Sequence, residues 1–280
     1  MNRLPVSIAF WDYDRTLPLV DSRVRIEGCS PSFALLRPEE AFAHAFGVAE
    51  FDVTEISLSN HMTALSNGTA AYVAIPVFLS RAFRLGTLYA RDDRGINEPA
   101  DLAGKRVGLQ EFQMTAAVVV RGMLRDEYRL DTESVCWVVG GVEQPTSATL
   151  PAATEGSRCQ IVVAPPGRSL DAMLAEGDLD ALLSLRIPPS VAAGHPRIRR
   201  LFPAWREAEE RYFSKTGVFP IMHAVGVRKT LLAEHPWLAR SLYKAFAEAK
   251  ELALAQLAGG HATGLPWCAT ELEATQVTMG

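Results

Sequence analysis

The chain has 280 residues, 48% of them hydrophobic and 21% charged, a balance that builds a folded core rather than a disordered tail. Its 28 basic and 32 acidic residues leave a net charge of −4, which argues against general nucleic-acid affinity, since that requires a basic surface. No run approaches the roughly 20 apolar residues that a membrane-spanning helix requires.

The first segment, Leu4-Pro5-Val6-Ser7-Ile8-Ala9-Phe10, is too short for a signal-peptide core. It runs into Asp12 and Asp14 with no small-residue cleavage site, so the chain reads as cytoplasmic. Residues 33–36 form a short apolar strand. Pro38-Glu39-Glu40 then opens a helix, with proline in its first turn and acids at its positive end. The alternation over 51–56 predicts a strand, and Ser59 or Asn60 caps the next helix. Further strands are predicted at 72–78 and 83–90.

A polar turn, Arg91-Asp92-Asp93-Arg94-Gly95, marks a change of register. Residues 98–109 then read as a short helix, a glycine turn and a strand that begins a second lobe. Helical patterns cover 114–128 and 169–176; Gly177 stops the latter, and 178–183 return to a sheet. Residues 152–158 read as a surface loop. A charged helix at 203–215 and a strand at 220–227 precede an amphipathic helix at 236–257, with Leu238, Leu242, Phe246 and Leu252 at core positions.

This alternation is the signature of an α/β fold. The expected architecture is two-lobed, with residues 1–91 and 218–280 in one lobe, residues 92–217 in the other, and a ligand cleft between the lobes.

Cys29, Cys136, Cys159 and Cys268 are scattered and form no CxxC pair, which predicts free thiols and no tetrathiolate zinc. The six histidines, at 44, 61, 195, 223, 235 and 261, show no pair at helical metal-ligand spacing. No metal is therefore predicted, although a divalent ion held by residues distant in sequence stays open. GK[ST] phosphate loops, GxGxxG, HExxH and GxSxG are absent too.

Three local patterns point to an anionic ligand. Gly108-Leu109-Gln110-Glu111-Phe112-Gln113-Met114-Thr115 runs from a strand into a helix, whose free amides and Thr115 hydroxyl can receive a carboxylate or simply cap the helix. Arg15, Arg81, Arg84 and Arg186 cluster beside predicted strand ends, and a guanidinium fork matches a carboxylate bidentately. His223 interrupts the apolar run Phe219-Pro220-Ile221-Met222-His223-Ala224-Val225, as either a hydrogen-bonded structural residue or a proton donor.

Taken together, these segments resemble the 4,5-dihydroxyphthalate decarboxylase family. The resemblance rests on Asp12-Tyr13-Asp14-Arg15-Thr16, Leu36-Arg37-Pro38-Glu39-Glu40, Glu50-Phe51-Asp52-Val53 and Ser57-Leu58-Ser59. It continues through Pro76-Val77-Phe78, Ser80-Arg81, Phe83-Arg84 and Gly104-Lys105-Arg106-Val107-Gly108. The most specific parts are Gln113-Met114-Thr115-Ala116-Ala117 and Phe219-Pro220-Ile221-Met222-His223. Members typically continue some tens of residues beyond a segment like Val277-Thr278-Met279-Gly280.

The resemblance implies a type II periplasmic-binding-protein-like fold used as an enzyme. The implied reaction converts 4,5-dihydroxyphthalate to protocatechuate and carbon dioxide, with no organic cofactor. Carboxylate binding is then expected of Arg81, Arg84 and Thr115, and proton transfer of His223 first and Asp14 second. Asp14 can equally serve to orient Arg15. Ser57 and Ser59 are expected against substrate oxygens, and Arg15, Phe83, Gln113 and Arg186 complete the binding set. The expected partners are a small aromatic dicarboxylate and further copies of the chain, with no nucleic acid and no membrane. Two alternatives are a non-catalytic solute-binding protein for a small carboxylate and a decarboxylase of another hydroxylated aromatic diacid.

Overall fold

The computed structural model describes residues 3–146, 159–259 and 266–280; the surface loop expected at 152–158 lies outside them. In chain order the elements begin with β1 (Leu4–Phe10), α1 (Leu17–Val20), β2 (Cys29–Leu35), α2 (Pro38–Gly47), β3 (Val53–Ser57), α3 (Leu58–Ser66) and β4 (Tyr72–Arg81). Next come β5 (Leu88–Arg91), β6 (Arg106–Leu109), α4 (Thr115–Tyr128), β7 (Cys136–Val139), β8 (Gln160–Val163) and α5 (Leu170–Glu176). They are followed by β9 (Ala181–Leu183), α6 (Pro189–Ala192), β10 (Ile198–Arg200) and α7 (Trp205–Thr216). The chain closes with β11 (Ile221–Arg228), α8 (Lys229–Glu234), α9 (Leu238–Ala258) and α10 (Cys268–Met279).

These elements form two compact units, Met1–Arg81 with Ile221–Gly280, and Ala82–Pro220. The first unit carries a five-stranded sheet in the order β2-β1-β3-β11-β4. Strands β2, β1 and β3 are parallel, and β11 runs antiparallel to both β3 and β4. Every residue of β3 is buried, because the strand is covered on both faces. Val53 joins Phe10, Val225 and Phe246 in one apolar cluster, while Ile56 packs with Ala45, Tyr72 and Ala224 in another. Helix α9 supplies the first cover: Leu238, Leu242 and Phe246 recur every four residues and are all buried, as helical periodicity demands. Each such side chain contributes roughly 1.5–3 kcal/mol by leaving water. The opening segment, which the sequence analysis weighed only as a leader, is β1, with Val6, Ile8, Ala9 and Phe10 in the core.

The second unit carries a six-stranded sheet, β10-β5-β9-β6-β7-β8. Strands β9, β6, β7 and β8 are parallel, and β5 is antiparallel to β9 and β10. Its core gathers Leu88, Val107, Leu109, Val120, Leu124 and Trp137. Ser169 caps α5 by accepting the Ala172 N–H at 3.3 Å, and Gly177 ends the helix at φ +92°, a conformation that glycine adopts without strain.

Three local expectations need correction. The boundary expected at 91/92 falls inside the second unit, because β5 pairs with β9 and β10 there and the Arg91 guanidinium donates to the Leu174 and Ala175 carbonyls at 2.9 and 2.8 Å. The strand expected at 83–90 is a tight 3-10 turn at Leu85–Thr87 followed by β5. Helix α3 starts at Leu58 with Ser57 at its N-cap position, so Ser59 and Asn60 lie in its first turn.

Candidate active site

The residues with chemistry in the first unit collect at one edge of its sheet. Strands β1, β3 and β4 end there and β11 begins there, so the turn after Phe10, the end of β3 at Ser57, the end of β4 at Arg81 and His223 share that edge. Ligands of open α/β sheets sit outside the carboxyl ends of the strands.

The register places a carboxylate behind the histidine. On β11, His223 lies opposite Ser57 and Val225 opposite Glu55. Glu55 and His223 are thus diagonal neighbours on one face, a spacing that long side chains bridge. The Glu55 side chain is 0% exposed, and its Oε1 lies 2.6 Å from His223 Nδ1. Two more donors reach the same carboxylate: the Tyr13 hydroxyl donates to Oε1 at 2.6 Å and the Trp11 N–H to Oε2 at 3.1 Å. A buried carboxylate persists only with such partners. An ionised carboxylate only accepts, so Nδ1 carries the hydrogen and proton exchange with a ligand falls to Nε2. The Phe42 ring meets the imidazole edge-on at 4.9 Å, restricting its rotation.

Burial, then the charge and hydrogen bond of Glu55, push the Tyr13 phenol well above its usual range, against weaker opposing effects of Arg15 and Ser80. Tyr13 therefore stays protonated and serves as a permanent donor to Glu55. The Arg15 guanidinium lies over the Tyr13 ring at 4.1 Å, donates through Nε to the Leu79 carbonyl at 2.8 Å, and pairs with Asp14 at 3.1 Å.

The first-unit residues expected from sequence divide accordingly. His223 sits half-buried against Glu55, and Ser57 is buried beside it across the strand pair. Asp14 is exposed and engages Arg15, the orienting alternative stated for it; the carboxylate at His223 is Glu55. Arg15 and Arg81 line one cavity of about 170 Å³ with Phe78, Tyr243, Phe246 and Lys250, and His223 is not part of that lining. Ser59 is half-buried in the first turn of α3.

In the second unit, Phe83, Arg84, Gln113, Thr115 and Arg186 also fall at the carboxyl edge of their sheet. The 84–87 turn precedes β5, whose Leu88 pairs with Leu183, and Arg186 follows that end of β9 as an exposed residue. Gln113 and the buried Thr115 lie where the loop after β6 enters α4. Arg121 pins this loop, stacking on Phe112 at 3.7 Å and donating to its carbonyl at 2.7 Å; burial pushes its guanidinium down to about 10. Phe83 stacks on Phe219 at 4.9 Å and meets Phe213 edge-on at 6.3 Å, so its ring packs within the unit.

Sequence reasoning passed over Glu55 and Tyr13. The available signal was an acid at a core-facing position of an alternating strand, between Val53 and Ser57, where an unpaired carboxylate is not tolerated. Among the described residues, no three His, Cys, Asp or Glu side chains group to hold a metal ion. Nor is any described helix long and apolar enough to cross a membrane.

No family model matches the chain. It is 43% identical over 282 residues to a 4,5-dihydroxyphthalate decarboxylase of Comamonas testosteroni, covering 100% of this chain and 86% of that one. It is 43% identical over 204 residues to a 4,5-dihydroxyphthalate decarboxylase of Pseudomonas putida, covering 72% of this chain and 78% of that one. Among solved structures, the periplasmic aliphatic sulphonate binding protein SsuA from Escherichia coli matches with a TM-score of 0.53 at 14% identity, over 97% of this chain and 84% of its own. The alkanesulfonate-binding protein SsuA from Xanthomonas axonopodis pv. citri matches with a TM-score of 0.53 at 14% identity, over 97% and 83%. The fold is accordingly periplasmic-binding-protein-like, and at that identity the likeness speaks for the fold alone.

Proposed function

The chain belongs to the 4,5-dihydroxyphthalate decarboxylase family, and we propose that it converts 4,5-dihydroxyphthalate to protocatechuate and carbon dioxide, with Glu55 and His223 managing the proton. The observation that carries the chemical part is the buried Glu55 carboxylate held 2.6 Å from His223 Nδ1 at the carboxyl edge of the sheet.

In this substrate each carboxylate is para to a hydroxyl. Loss of the hydroxyl proton sends an electron pair through the ring to the carbon bearing the departing carboxylate. That carbon takes a proton from His223 Nε2, which interrupts aromaticity. The bond to the carboxylate then breaks, and its electron pair re-forms the aromatic ring as carbon dioxide leaves. One proton replaces one carbon dioxide on the ring: water takes the hydroxyl proton, recharges the imidazole and reprotonates the phenolate left as carbon dioxide departs, so one solvent proton is consumed per turnover. The ring is its own electron sink, so the sequence of steps calls for no organic cofactor.

The protein's part is positioning and electrostatics. Glu55 sets the imidazole so that Nε2 delivers the proton. Tyr13 and the Trp11 amide stabilise the Glu55 charge in a buried setting. Arg81 carries positive charge to the same edge and is assigned to a substrate carboxylate, for which a guanidinium fork is well matched. The same reading takes the enzyme to be cytoplasmic and homo-oligomeric, which cell fractionation and sedimentation check.

The deciding experiment incubates the protein with 4,5-dihydroxyphthalate and follows carbon dioxide and protocatechuate. Stoichiometric release of both supports the reading. Tight binding without release would instead make the protein a solute-binding relative of the same fold.

A further inference from the structure

A three-residue turn in the second unit is clamped from every side. The Gly86 N–H donates to Glu209 Oε1 at 3.2 Å, and the Leu85 N–H also reaches that carboxylate. The Gly86 carbonyl accepts from Arg200 Nη1. A Cβ at Gly86 would stand 3.0 Å from the Trp205 ring, so the indole closes the remaining side. The Arg200 guanidinium is itself held near the Tyr89 ring at 5.2 Å and the Trp205 ring at 5.9 Å. On the far side of the turn, Thr87 donates its N–H and its hydroxyl to the Arg84 carbonyl, at 3.1 and 2.6 Å. The Ser184 N–H donates to the Thr87 carbonyl at 3.0 Å, tying the turn to the end of β9.

Glu209 is only 6% exposed. Burial pushes its carboxyl upward, while the Gly86 and Leu85 amides and then the Arg84 and Arg200 charges pull it back. Leu85 and Gly86 are themselves buried, and burying a carboxylate as well to hold so short a turn is a large expense. The expense makes sense if the turn must present something accurately. The residue at its start is Arg84, at the carboxyl edge of the sheet, where a ligand of such a fold is met.

We propose that Glu209 and Arg200 are positioning residues, fixing the 84–87 turn so that Arg84 offers its guanidinium to a carboxylate of the substrate. The proposal rests on the decarboxylase reading for the identity of that ligand. Glu209 touches no reacting atom; it acts through the backbone of Gly86.

The test uses the full chain and two variants that disturb the turn from opposite sides, Glu209→Gln and Gly86→Ala. Steady-state kinetics with 4,5-dihydroxyphthalate should show KM raised about tenfold with kcat within about twofold of the wild type, the pattern of lost ground-state binding. Calorimetry with phthalate, which has both carboxylates but no hydroxyl to drive decarboxylation, should show binding weakened about tenfold in both variants. Hydrogen exchange at the Gly86 amide of the unliganded protein should be at least about tenfold faster in Glu209→Gln, since its acceptor loses its charge. Unchanged KM and unchanged phthalate affinity in both variants would overturn the proposal. So would a fall in kcat at constant KM, or a wild type that does not bind phthalate. If the wild type binds phthalate but turns nothing over, the decarboxylase reading fails, and the phthalate and exchange measurements still decide the role of Glu209. Should one variant not fold, the other carries the same comparisons.

Discussion

Glu55 Oε1 and His223 Nδ1 lie 2.6 Å apart although 168 residues separate them in the chain, and the carboxylate is wholly buried. A carboxylate so placed fixes the tautomer and orientation of an imidazole. Glu55→Gln keeps the shape and removes the charge, so kcat should fall about 10²-fold or more with little change in KM. Steady-state kinetics check this, and a variant within about twofold of the wild type would separate Glu55 from the proton transfer.

Replacing His223 with Ala should lower turnover by about 10² or more. Since the two groups act as one unit, the Glu55→Gln, His223→Ala double variant should be no slower than His223→Ala alone. Multiplying losses would mean that the two side chains act separately.

Tyr13→Phe removes one of three hydrogen bonds to the buried Glu55 carboxylate and should cost roughly 2 kcal/mol in urea unfolding at neutral pH. The alkaline behaviour has a definite sign. The folded-state phenol is raised above its ordinary value of 10.0, so its contribution is fully present below that value. It is lost as pH climbs from there toward the folded-state value, because only the unfolded chain releases the proton. Above about pH 10 the wild type should therefore lose stability more steeply than Tyr13→Phe, by up to about 1.4 kcal/mol per pH unit. Parallel curves would show that the phenol titrates normally.

Arg81 ends β4 as an exposed side chain at the edge that carries His223. Arg81→Lys keeps the charge and loses the fork, so KM should rise about tenfold while kcat holds. A KM equal to that of the wild type would remove Arg81 from substrate binding.

Because the substrate ring accepts the electron pair, chelation should leave turnover intact. Dialysis against a strong chelator followed by assay tests this; activity lost and then restored by a divalent ion would assign a metal to the reaction.

Much of the architecture of both units was legible in the sequence. The spacing of Leu238, Leu242 and Phe246 announced α9, and Ser169 with Gly177 bracketed α5. His223 was legible as a polar interruption in an apolar strand. The misplaced edge at 91/92 shows the limit: Leu88–Arg91 reads as an apolar strand in either unit, and only its pairing with β9 and β10 assigns it.

The same limit explains the site. Local periodicity, capping and turn chemistry act over a few residues, so the sequence alone determined elements such as α4, α5, α9 and β11. It offered Asp14 as the second choice for proton transfer after His223, or as a residue orienting Arg15. Only the tertiary structure decided that Glu55 is the partner. That choice depends on β11 lying antiparallel on β3 with Val225 opposite Glu55. A slip of one residue would turn His223 to the other face and separate the pair. Strand register is a property of packing between distant segments, and no local pattern encodes it.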